Sequence, residues 1–394
     1  MEITKSFEKR IKRRITGRKH VFFAVCAPGL KRLCQRELLK LPIKLENISM
    51  IKGGVEFTGF VHDCYFANLF LRSPSRIKMR ITKFKAENFR TLEKKLKKIE
   101  WELYLQKNSV INYKVSTTHS RLFHKKAISD RAENIITNHL KQFGYAAKID
   151  NKNNCHIIFI RGENNEFEIS IDATGDLLHK RGIKKNVGKA CLRENIAFGI
   201  LSACKYSGRE PFIDPMCGSG TFSLEACMIK QNIAPGFFRK FAFEKWQCFR
   251  KNRWNYFKKE TEKAIIPKNK TEIFACDIDK NALLNLEKNI SSSSFFSGIK
   301  VFHQDFFDLI PEKLTSDKGV IILNPPYGKR FQEKKQIKNF YTEINKKLKK
   351  DFKGWQAGIM FPEKNLLNTL CFSASLIPIF HGGLNIYAAT GKIT

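Results

Sequence analysis

The sequence predicts an α/β protein whose C-terminal half folds around an open, mostly parallel sheet with helices on both faces. Residues 173–394 alternate short apolar runs with helical segments, which is typical of parallel sheets. Four of these runs end in a polar residue, at the edge of the sheet where ligands bind in such folds. The strand candidates are Pro211–Asp214, Ile273–Asp277, Lys300–Asp305, Val320–Asn324 and Gln356–Phe361.

The N-terminal part predicts two smaller α+β units. Residues 20–60 begin with an apolar strand at Val21–Cys26, followed by a Pro-Gly break and a helix. Residues 61–172 carry alternating strand patterns and an amphipathic helix from about Ile128 to Phe143. Residues 1–19 are strongly basic and predict a flexible arm that adds affinity for polyanions.

The net charge indicates a nucleic-acid partner. The chain has 72 Lys and Arg against 37 Asp and Glu, a formal charge of +35. Such an excess is matched well by a phosphate backbone, because each neutralised phosphate releases counterions. An AT-rich genome also inflates lysine and phenylalanine, so charge alone indicates affinity for polyanions and no particular activity.

The composition also excludes several classes of protein. The 11 cysteines form no CxxC pair, so we expect reduced thiols in a cytoplasmic protein and no metal site. The apolar run at 21–27 follows basic residues, as in a signal peptide, but it is short and charged residues follow closely. No segment approaches the roughly 20 apolar residues of a membrane span.

The segment Asp214–Thr221 predicts a ligand-binding turn between a strand and a helix. Gly218 and Gly220 let the backbone approach a ligand, and the helix N-terminus offers N–H groups to a carboxylate. A phosphate-binding loop would need a lysine directly before a serine or threonine, and the segment has none.

Acids follow the next two strands. Asp277 suits hydrogen bonding to ribose hydroxyls, and Asp305 could accept a hydrogen bond from an adenine amino group. Asp279 is predicted to cap the helix that begins near Asn281. Each acid alone would more often be a solvated carboxylate, but their recurrence at strand ends favours a binding site.

The motif Asn324–Tyr327 reads Asn-Pro-Pro-Tyr after the apolar strand at 320–323. The two prolines remove two donors and stiffen the backbone. The Asn324 side-chain oxygen and the Pro325 carbonyl remain as two fixed acceptors, which match the two protons of an amino group. Tyr327 offers a face for stacking a nucleobase. Outside this context, the motif would indicate only a turn at a strand end.

Together these motifs resemble, in order, those of class I methyltransferases that act on exocyclic amino groups. Further segments resemble the THUMP-containing guanine-N2 methyltransferases, in particular the bacterial 23S rRNA (guanine-N2) methyltransferases. The segments of this second resemblance are Phe22–Ala24, Pro28–Leu30, Gly53–Val55, Leu71–Ser73, Leu178–Gly182, Leu192–Asn195, Pro235–Gly236 and Phe241–Trp246.

The resemblance implies a fold, a cofactor and a set of site residues. The fold is a Rossmann-like class I methyltransferase domain with a mixed sheet at 173–394, preceded by a ferredoxin-like domain at 20–60 and a THUMP RNA-binding domain at 61–172. Some members carry a second methyltransferase domain, which we expect to be absent here because the chain ends at Thr394. S-adenosylmethionine is the implied cofactor. Its implied contacts are Asp214, Cys217, Gly218, Ser219, Gly220, Thr221, Asp277, Ile278, Asp305, Phe306 and Asn324. The implied catalytic set is Asn324, Pro325, Pro326 and Tyr327.

The preferred function is methylation of guanine N2 in 23S rRNA, either free or in a ribosome assembly intermediate. Three alternatives stay open. The substrate could be tRNA, since similar THUMP-bearing enzymes methylate it. The motif also suits an adenine-N6 DNA methyltransferase, although the N-terminal half counts against DNA. A non-catalytic RNA-binding protein would leave the cofactor and base motifs unexplained. No membrane and no metal partner are expected.

Overall fold

The structure is a computed structural model that describes residues 5–149, 155–184, 192–266, 272–326, 334–381 and 383–394. The chain forms two compact units, each with its own sheet. The N-terminal unit comprises Met1–Cys26, Cys34–Leu178 and Arg239–Lys259, and the C-terminal unit comprises Ala27–Leu33, His179–Phe238 and Glu260–Thr394.

The described residues from 5 to 172 contain eight strands and five α-helices. The strands are β1 (His20–Val25), β2 (Glu46–Ile51), β3 (Gly54–Gly59), β4 (Arg76–Lys85), β5 (Val110–Thr118), β6 (Lys148–Ile149), β7 (His156–Glu163) and β8 (Glu166–Asp172). The helices are α1 (Lys5–Ile11), α2 (Lys31–Lys40), α3 (Val61–Phe70), α4 (Phe89–Leu96) and α5 (Lys125–Gln142).

These strands form one continuous sheet in the order β2-β3-β1-β4-β8-β7-β5-β6. The strands pair antiparallel, except that β5 runs parallel to β6 and β7. Buried and less buried residues alternate along β7, so one face of the sheet packs on the core. The predicted boundary at residue 60 falls between β3 and α3, within the span of this single sheet.

The predicted flexible arm at 1–19 is instead helical from Lys5 to Thr16, where α1 continues into a short π-helix. Ile11 and Ile15 are buried, and Arg10 forms ion pairs with Glu100 and Glu102. The prediction of flexibility was wrong because it weighed only the basic residues. The two isoleucines lie four residues apart, and that spacing places both on one helical face.

The C-terminal unit contains the predicted mixed sheet. Its strands are β9 (Phe212–Asp214), β10 (Ile273–Asp277), β11 (Ile299–His303), β12 (Val320–Leu323), β13 (Gln356–Phe361), β14 (Ser375–His381) and β15 (Leu384–Lys392). The remaining helices of the chain are α6 (Glu194–Ala203), α7 (Thr221–Lys230), α8 (Lys251–Lys263), α9 (Lys280–Ser291) and α10 (Lys334–Asp351). The strand order is β11-β10-β9-β12-β13-β15-β14. The pairs from β11 to β13 are parallel, and β15 runs antiparallel to both β13 and β14.

Helices cover both faces of this sheet, as predicted. Alternate residues of each strand point to opposite faces, and the two sets enter separate cores. In β12, Val320 and Ile322 join the core that contains α6, α7 and α9, while Ile321 and Leu323 join the core that contains α10. Near-continuous apolar strands such as this one are typical of a parallel sheet buried on both faces.

The segment Arg239–Lys259 was predicted to belong to the domain at 173–394, but it packs within the N-terminal unit. Its Phe243 ring stacks on Tyr65, with 4.4 Å between ring centroids. The Trp246 indole N–H donates to the Asp172 carbonyl at 3.1 Å. Aromatic burial across more than 150 residues of sequence decided this placement, and local patterns do not encode it.

The described residues contain no membrane-spanning helix, no disulfide bond and no metal-ligating cluster. Within the described ranges, no helix combines the length and apolar character needed to cross a membrane. The ten cysteines that lie in those ranges are all free thiols. Nor do the described residues contain a cluster of three or more metal-ligating side chains.

Candidate active site

The strand registers bring three predicted residues to the same edge and the same face of the sheet. β9 lies between β10 and β12, and all three strands are parallel. Asp214 of β9 lies opposite Ala275 of β10. Ile213 of β9 lies opposite Ile321 of β12, so Asp214 is level with the next residue of β12, Ile322. Asp277 and Asn324 therefore each lie two residues beyond the level of Asp214, on strands separated by about 10 Å.

Two hydrogen bonds fix the glycine turn to the end of β10, and a third closes the turn itself. The Cys217 amide donates to the Cys276 carbonyl at 3.0 Å, and the Gly220 amide donates to the Cys217 carbonyl at 2.8 Å. The Gly218 amide donates to Oδ2 of Asp277 at 2.8 Å. Gly218 and Gly220 have φ values of +53° and +77°, which favour glycine. Ser219, between them, is half-buried.

The two glycines differ in what surrounds them, and this difference predicts different effects of substitution. A methyl group on Gly220 would collide with Cδ1 of Leu286, whereas one on Gly218 would meet no atom of the described residues within 4 Å. We expect Gly220→Ala to lower the free energy of unfolding by about 3 kcal/mol or more, and Gly218→Ala by about 1 kcal/mol. Urea unfolding of both variants measures this difference.

Gly218→Ala is also expected to weaken binding of S-adenosylhomocysteine, because its methyl group would occupy the open space of the turn. A loss of about 10-fold corresponds to about 1.4 kcal/mol. Calorimetry on the folded variant checks it. Unchanged affinity would mean that the cofactor does not lie against this turn.

Asp214 is completely buried beneath the turn. Its Oδ2 accepts hydrogen bonds from the Ser223 hydroxyl at 2.6 Å and the Ser223 amide at 3.2 Å. Its Oδ1 is buried without a hydrogen-bond partner among the described residues. Burial, with a contribution from the nearby Asp277 carboxylate, raises the pKa of Asp214 to about 7.

This raised pKa predicts a pH-dependent stability. The folded state binds the Asp214 proton more tightly than the unfolded chain does, so the resulting stabilisation is complete below about pH 4. It is lost as the pH rises through about 7. We expect Asp214→Asn to become progressively more stable than the wild type between pH 4 and pH 8, by up to about 4 kcal/mol. A difference in urea midpoints that stays constant over this range would contradict the prediction.

Asp277 lies at the end of β10 and is half-buried. Its Oδ1 accepts the Asp279 amide at 2.9 Å, and its Oδ2 accepts the Gly218 amide. Each carboxylate oxygen has two acceptor positions, so both can still accept a ligand hydroxyl. The neighbouring Ile278 side chain is 67% exposed, which leaves an apolar surface beside the carboxylate.

The structure confirms that Asp279 caps α9. Its carboxylate accepts the Asn281 amide at 2.9 Å and the Ala282 amide at 3.4 Å. This role satisfies two of the amides that a helix N-terminus leaves without partners.

Asp305 and Phe306 lie just beyond β11, which ends at His303 and not at Asp305 as predicted. Asp305 caps a short 3-10 helix, and its Oδ1 accepts the Phe307 amide at 2.9 Å. The Phe306 side chain is 2% exposed and lies in the core with Phe352. Only the backbone of Phe306 is therefore placed to contact a ligand.

The double-proline motif follows β12 directly. The Asn324 side-chain oxygen is buried and has no hydrogen-bond partner among the described residues. Pro325 is buried and Pro326 is half-buried. Tyr327, the predicted stacking residue, lies outside the described residues. The motif thus presents a fixed acceptor on Asn324 that none of the described residues satisfies.

Two residues of this region were missed by the sequence-based prediction of the site. The Lys184 ammonium donates to the Thr221 hydroxyl at 2.5 Å and pairs with Glu194 at 3.4 Å. Ser223, the partner of Asp214, was also missed. Glu194 lies in a segment that carried the family resemblance, but no local pattern indicated that Lys184 would reach the first turn of α7.

Cys217 was predicted to line the cofactor site and not to act as a nucleophile. It is 7% exposed. Burial, together with the Asp214 and Asp277 carboxylates, raises the pKa of the Cys217 thiol well above its usual value. The thiol therefore stays protonated at neutral pH, and a protonated thiol is a poor nucleophile.

The residues at this edge fit a ligand that carries hydroxyl and amino groups. Asp214 and Asn324 each have a buried oxygen without a partner among the described residues, and Asp277 keeps free acceptor positions. Buried acceptors of this kind are costly unless a ligand satisfies them. The open space at Gly218 allows the ligand to approach the backbone.

Comparison with known proteins gives two family matches. A family model of the RMKL-like methyltransferase domain matches residues 181–376, and a model of the RlmL ferredoxin-like domain matches residues 21–78. The second match extends past the predicted boundary at residue 60 and includes the first strand residues of β4.

Two relatives and one solved structure are similar over most of this chain. The putative RNA methyltransferase YpsC of Bacillus subtilis (strain 168) is 32% identical, over 83% of this chain and 84% of that protein. The ribosomal RNA large subunit methyltransferase K/L of Buchnera aphidicola is 30% identical over 88% of this chain and 50% of that protein, so the chain spans half its length. The crystal structure of SMU.472, a putative methyltransferase complexed with SAH, is 26% identical with a TM-score of 0.85, over 95% of this chain and 98% of that one.

Proposed function

Because the chain belongs to the RMKL-like methyltransferase family, we propose that it methylates an exocyclic amino nitrogen of RNA, with N2 of a guanine in 23S rRNA as the target. The observation that carries this proposal is the Asn324 oxygen at the end of β12, which is buried and accepts no hydrogen bond from the described residues. A fixed acceptor at this place suits a donor on a ligand, and an amino group is such a donor.

The Asn324 oxygen and the Pro325 carbonyl each accept one hydrogen bond from the two N–H bonds of the target amino group. The lone pair of such an amino group is conjugated with the base, so the nitrogen is a poor nucleophile. Holding both protons orients the lone pair and stabilises the positive charge that develops on the nitrogen. The nitrogen gains one methyl group, whose bond to the donor sulfur breaks to leave a neutral thioether, and it loses one proton to solvent. The residues therefore need no strong base.

S-adenosylmethionine supplies an electrophilic methyl group when it is bound. The glycine turn at 217–221 and Asp277 lie at the carboxyl ends of β9 and β10, beside the end of β12. We propose that the Asp277 carboxylate accepts hydrogen bonds from the ribose hydroxyls and that the Asp305 carboxylate accepts one from the adenine amino group. Ile278 covers one face of the adenine. The turn and the N-terminus of α7 receive the methionine part.

The choice of 23S rRNA rests on the relatives and on the charge of the chain. The K/L relative is named as a methyltransferase of large-subunit ribosomal RNA. The formal charge of +35 favours a polyanionic substrate. We further propose that residues 61–172 form a THUMP domain that contributes to RNA binding, and that the enzyme acts in the cytoplasm on free rRNA or on an assembly intermediate.

The test is methyl transfer from labelled S-adenosylmethionine to unmodified 23S rRNA, to tRNA and to duplex DNA, followed by nucleoside analysis. We expect labelled N2-methylguanosine from 23S rRNA, and much less label in the other two substrates. Label found in N6-methyladenine of DNA would overturn the proposal of an RNA substrate. A preference for tRNA would overturn the choice of rRNA and leave the proposed chemistry intact.

A further inference from the structure

An open groove of about 910 Å³ lies on one face of the eight-stranded sheet, far along the chain from the methyltransferase motifs. We call it the β4 groove, because β4 runs along its floor. Its lining comes from the segment before β1, from strands β1, β2, β3, β4, β7 and β8, and from the turns β2–β3 and β7–β8, all within the N-terminal unit.

A β-bulge in β4 concentrates positive charge in this groove. The register of β4 against β8 shifts between Arg80 and Thr82. In a regular strand, Arg80 would face the opposite side from Lys83 and Lys85. The extra residue Ile81 reverses the alternation, so all three cations lie on the same face of the sheet, opposite the buried Phe84. Bulges often redirect side chains in this way beside functional sites.

The described lining residues include seven cations and four carboxylates, an excess of three positive charges. Arg80 is fixed by ion pairs with Glu56 and Glu168, and its guanidinium lies 4.5 Å from the centre of the Phe23 ring. Other cations remain available to solvent. The Lys52 and Lys83 side chains are 78% and 59% exposed, and Lys85 is also exposed.

We propose that the β4 groove binds the phosphates of single-stranded RNA. Cations spaced along an open sheet match a polyanionic strand, and an excess of positive charge on a concave surface attracts such a strand from solution. The volume is close to the upper end of the roughly 300–1,000 Å³ typical of small-molecule sites. It therefore suits a few nucleotides of one strand and not a duplex.

This inference rests on the proposed function only in taking RNA as the partner. It adds a location for RNA binding that lies outside the proposed catalytic residues. The competing explanation is a structural network of ion pairs, since Lys83 pairs with Glu166 at 2.6 Å and Lys52 pairs with Glu163 at 2.8 Å. The two explanations differ in what happens to RNA affinity when the exposed lysines are removed.

The test replaces Lys52, Lys83 and Lys85 together with alanine in the full chain. The probe is a short labelled oligouridylate, titrated without methyl donor at several salt concentrations. We expect affinity to fall on the order of 10- to 100-fold, and the slope of log K against log salt to decrease by about 2, at about 0.7 per lost phosphate contact. The matched control replaces Lys94, Lys95 and Lys98 on and after α4, which are exposed and do not line the groove.

The control triple variant loses the same charge but should keep nearly the wild-type affinity. An equal loss in both variants would mean that binding depends only on total charge, and would overturn the proposal. Equal affinity of the groove variant and the wild type would also overturn the proposal. So would polyglutamate binding that falls as much as oligouridylate binding when the three groove lysines are replaced.

A second variant has an effect of opposite sign. Glu166→Gln removes a carboxylate from the groove and should tighten oligouridylate binding, whereas Glu8→Gln, at an exposed position outside the groove, should not. Weaker binding by Glu166→Gln would contradict the proposal. These titrations contain no methyl donor, so their outcome does not depend on whether the protein transfers a methyl group. The groove and the proposed function can therefore fail separately.

Discussion

Replacing Asn324 with leucine is expected to abolish methyl transfer while making the ligand-free protein more stable. The Asn324 oxygen is buried without a partner among the described residues, and such an acceptor costs about 1–3 kcal/mol. Leucine has a similar size and carries no polar atom. A residue that destabilises the fold and is nevertheless required for activity is one whose partner is the substrate.

The expected loss of kcat is on the order of 100- to 1,000-fold, the effect of removing one fixed hydrogen-bonding group in a reacting site. Asn324→Asp keeps an acceptor oxygen and should retain more activity than Asn324→Leu. Methyl transfer to 23S rRNA, S-adenosylhomocysteine affinity and the urea midpoint are measured on the same preparations.

We expect S-adenosylhomocysteine affinity to fall much less than kcat in both variants, because Asn324 is one of several implied cofactor contacts. If Asn324→Leu kept its activity, the double-proline motif would not hold the target amino group. If it lost activity and also unfolded more readily, Asn324 would have a structural role, and the loss of activity would no longer argue for catalysis.

The second large effect is expected at a buried ion pair, where Arg181→Ala should lower the free energy of unfolding by about 3–5 kcal/mol. The Arg181 and Glu225 side chains are 2% and 1% exposed. The guanidinium donates to both carboxylate oxygens at 3.2 Å, from Nε and from Nη2. The pair connects the segment before α6 to the middle of α7, the helix that follows the glycine turn.

The cost arises because removing one partner takes this ion pair away from a charge that stays buried. Glu225→Ala should therefore cost a similar amount, and the double variant Arg181→Met with Glu225→Leu should recover much of the loss. Lys346→Ala, which breaks an exposed pair with Glu343 on α10, is the matched control and should cost less than about 1 kcal/mol. Urea unfolding measures all four. If Arg181→Ala cost no more than Lys346→Ala, the buried pair would not hold α7 in place.

Local chemistry made much of the C-terminal unit predictable. β10 and β13 have the predicted bounds, because each is a short apolar run between polar segments. Asp279 was predicted as a helix cap from its position before an apolar-periodic helix. The hairpin of β14 and β15 was not predicted, because apolar and polar residues do not alternate clearly along its strands. It joins the sheet through the pairing of β15 with β13.

Sequence by itself determined that polar residues stand at or directly after the ends of β9, β10 and β12, because strand length, glycine turns and double prolines act over a few neighbouring residues. It extended β11 two residues too far. From these strand ends it predicted that Asp214, Asp277 and Asn324 belong to one site. The tertiary structure decided which strands are neighbours, and so placed β9 between β10 and β12. It also decided the bulge in β4, the helix at 5–16 and the packing of residues 239–259. These features depend on contacts between residues far apart in the chain. Local sequence patterns encode neither the register of such contacts nor the entropic cost of closing the loops between them.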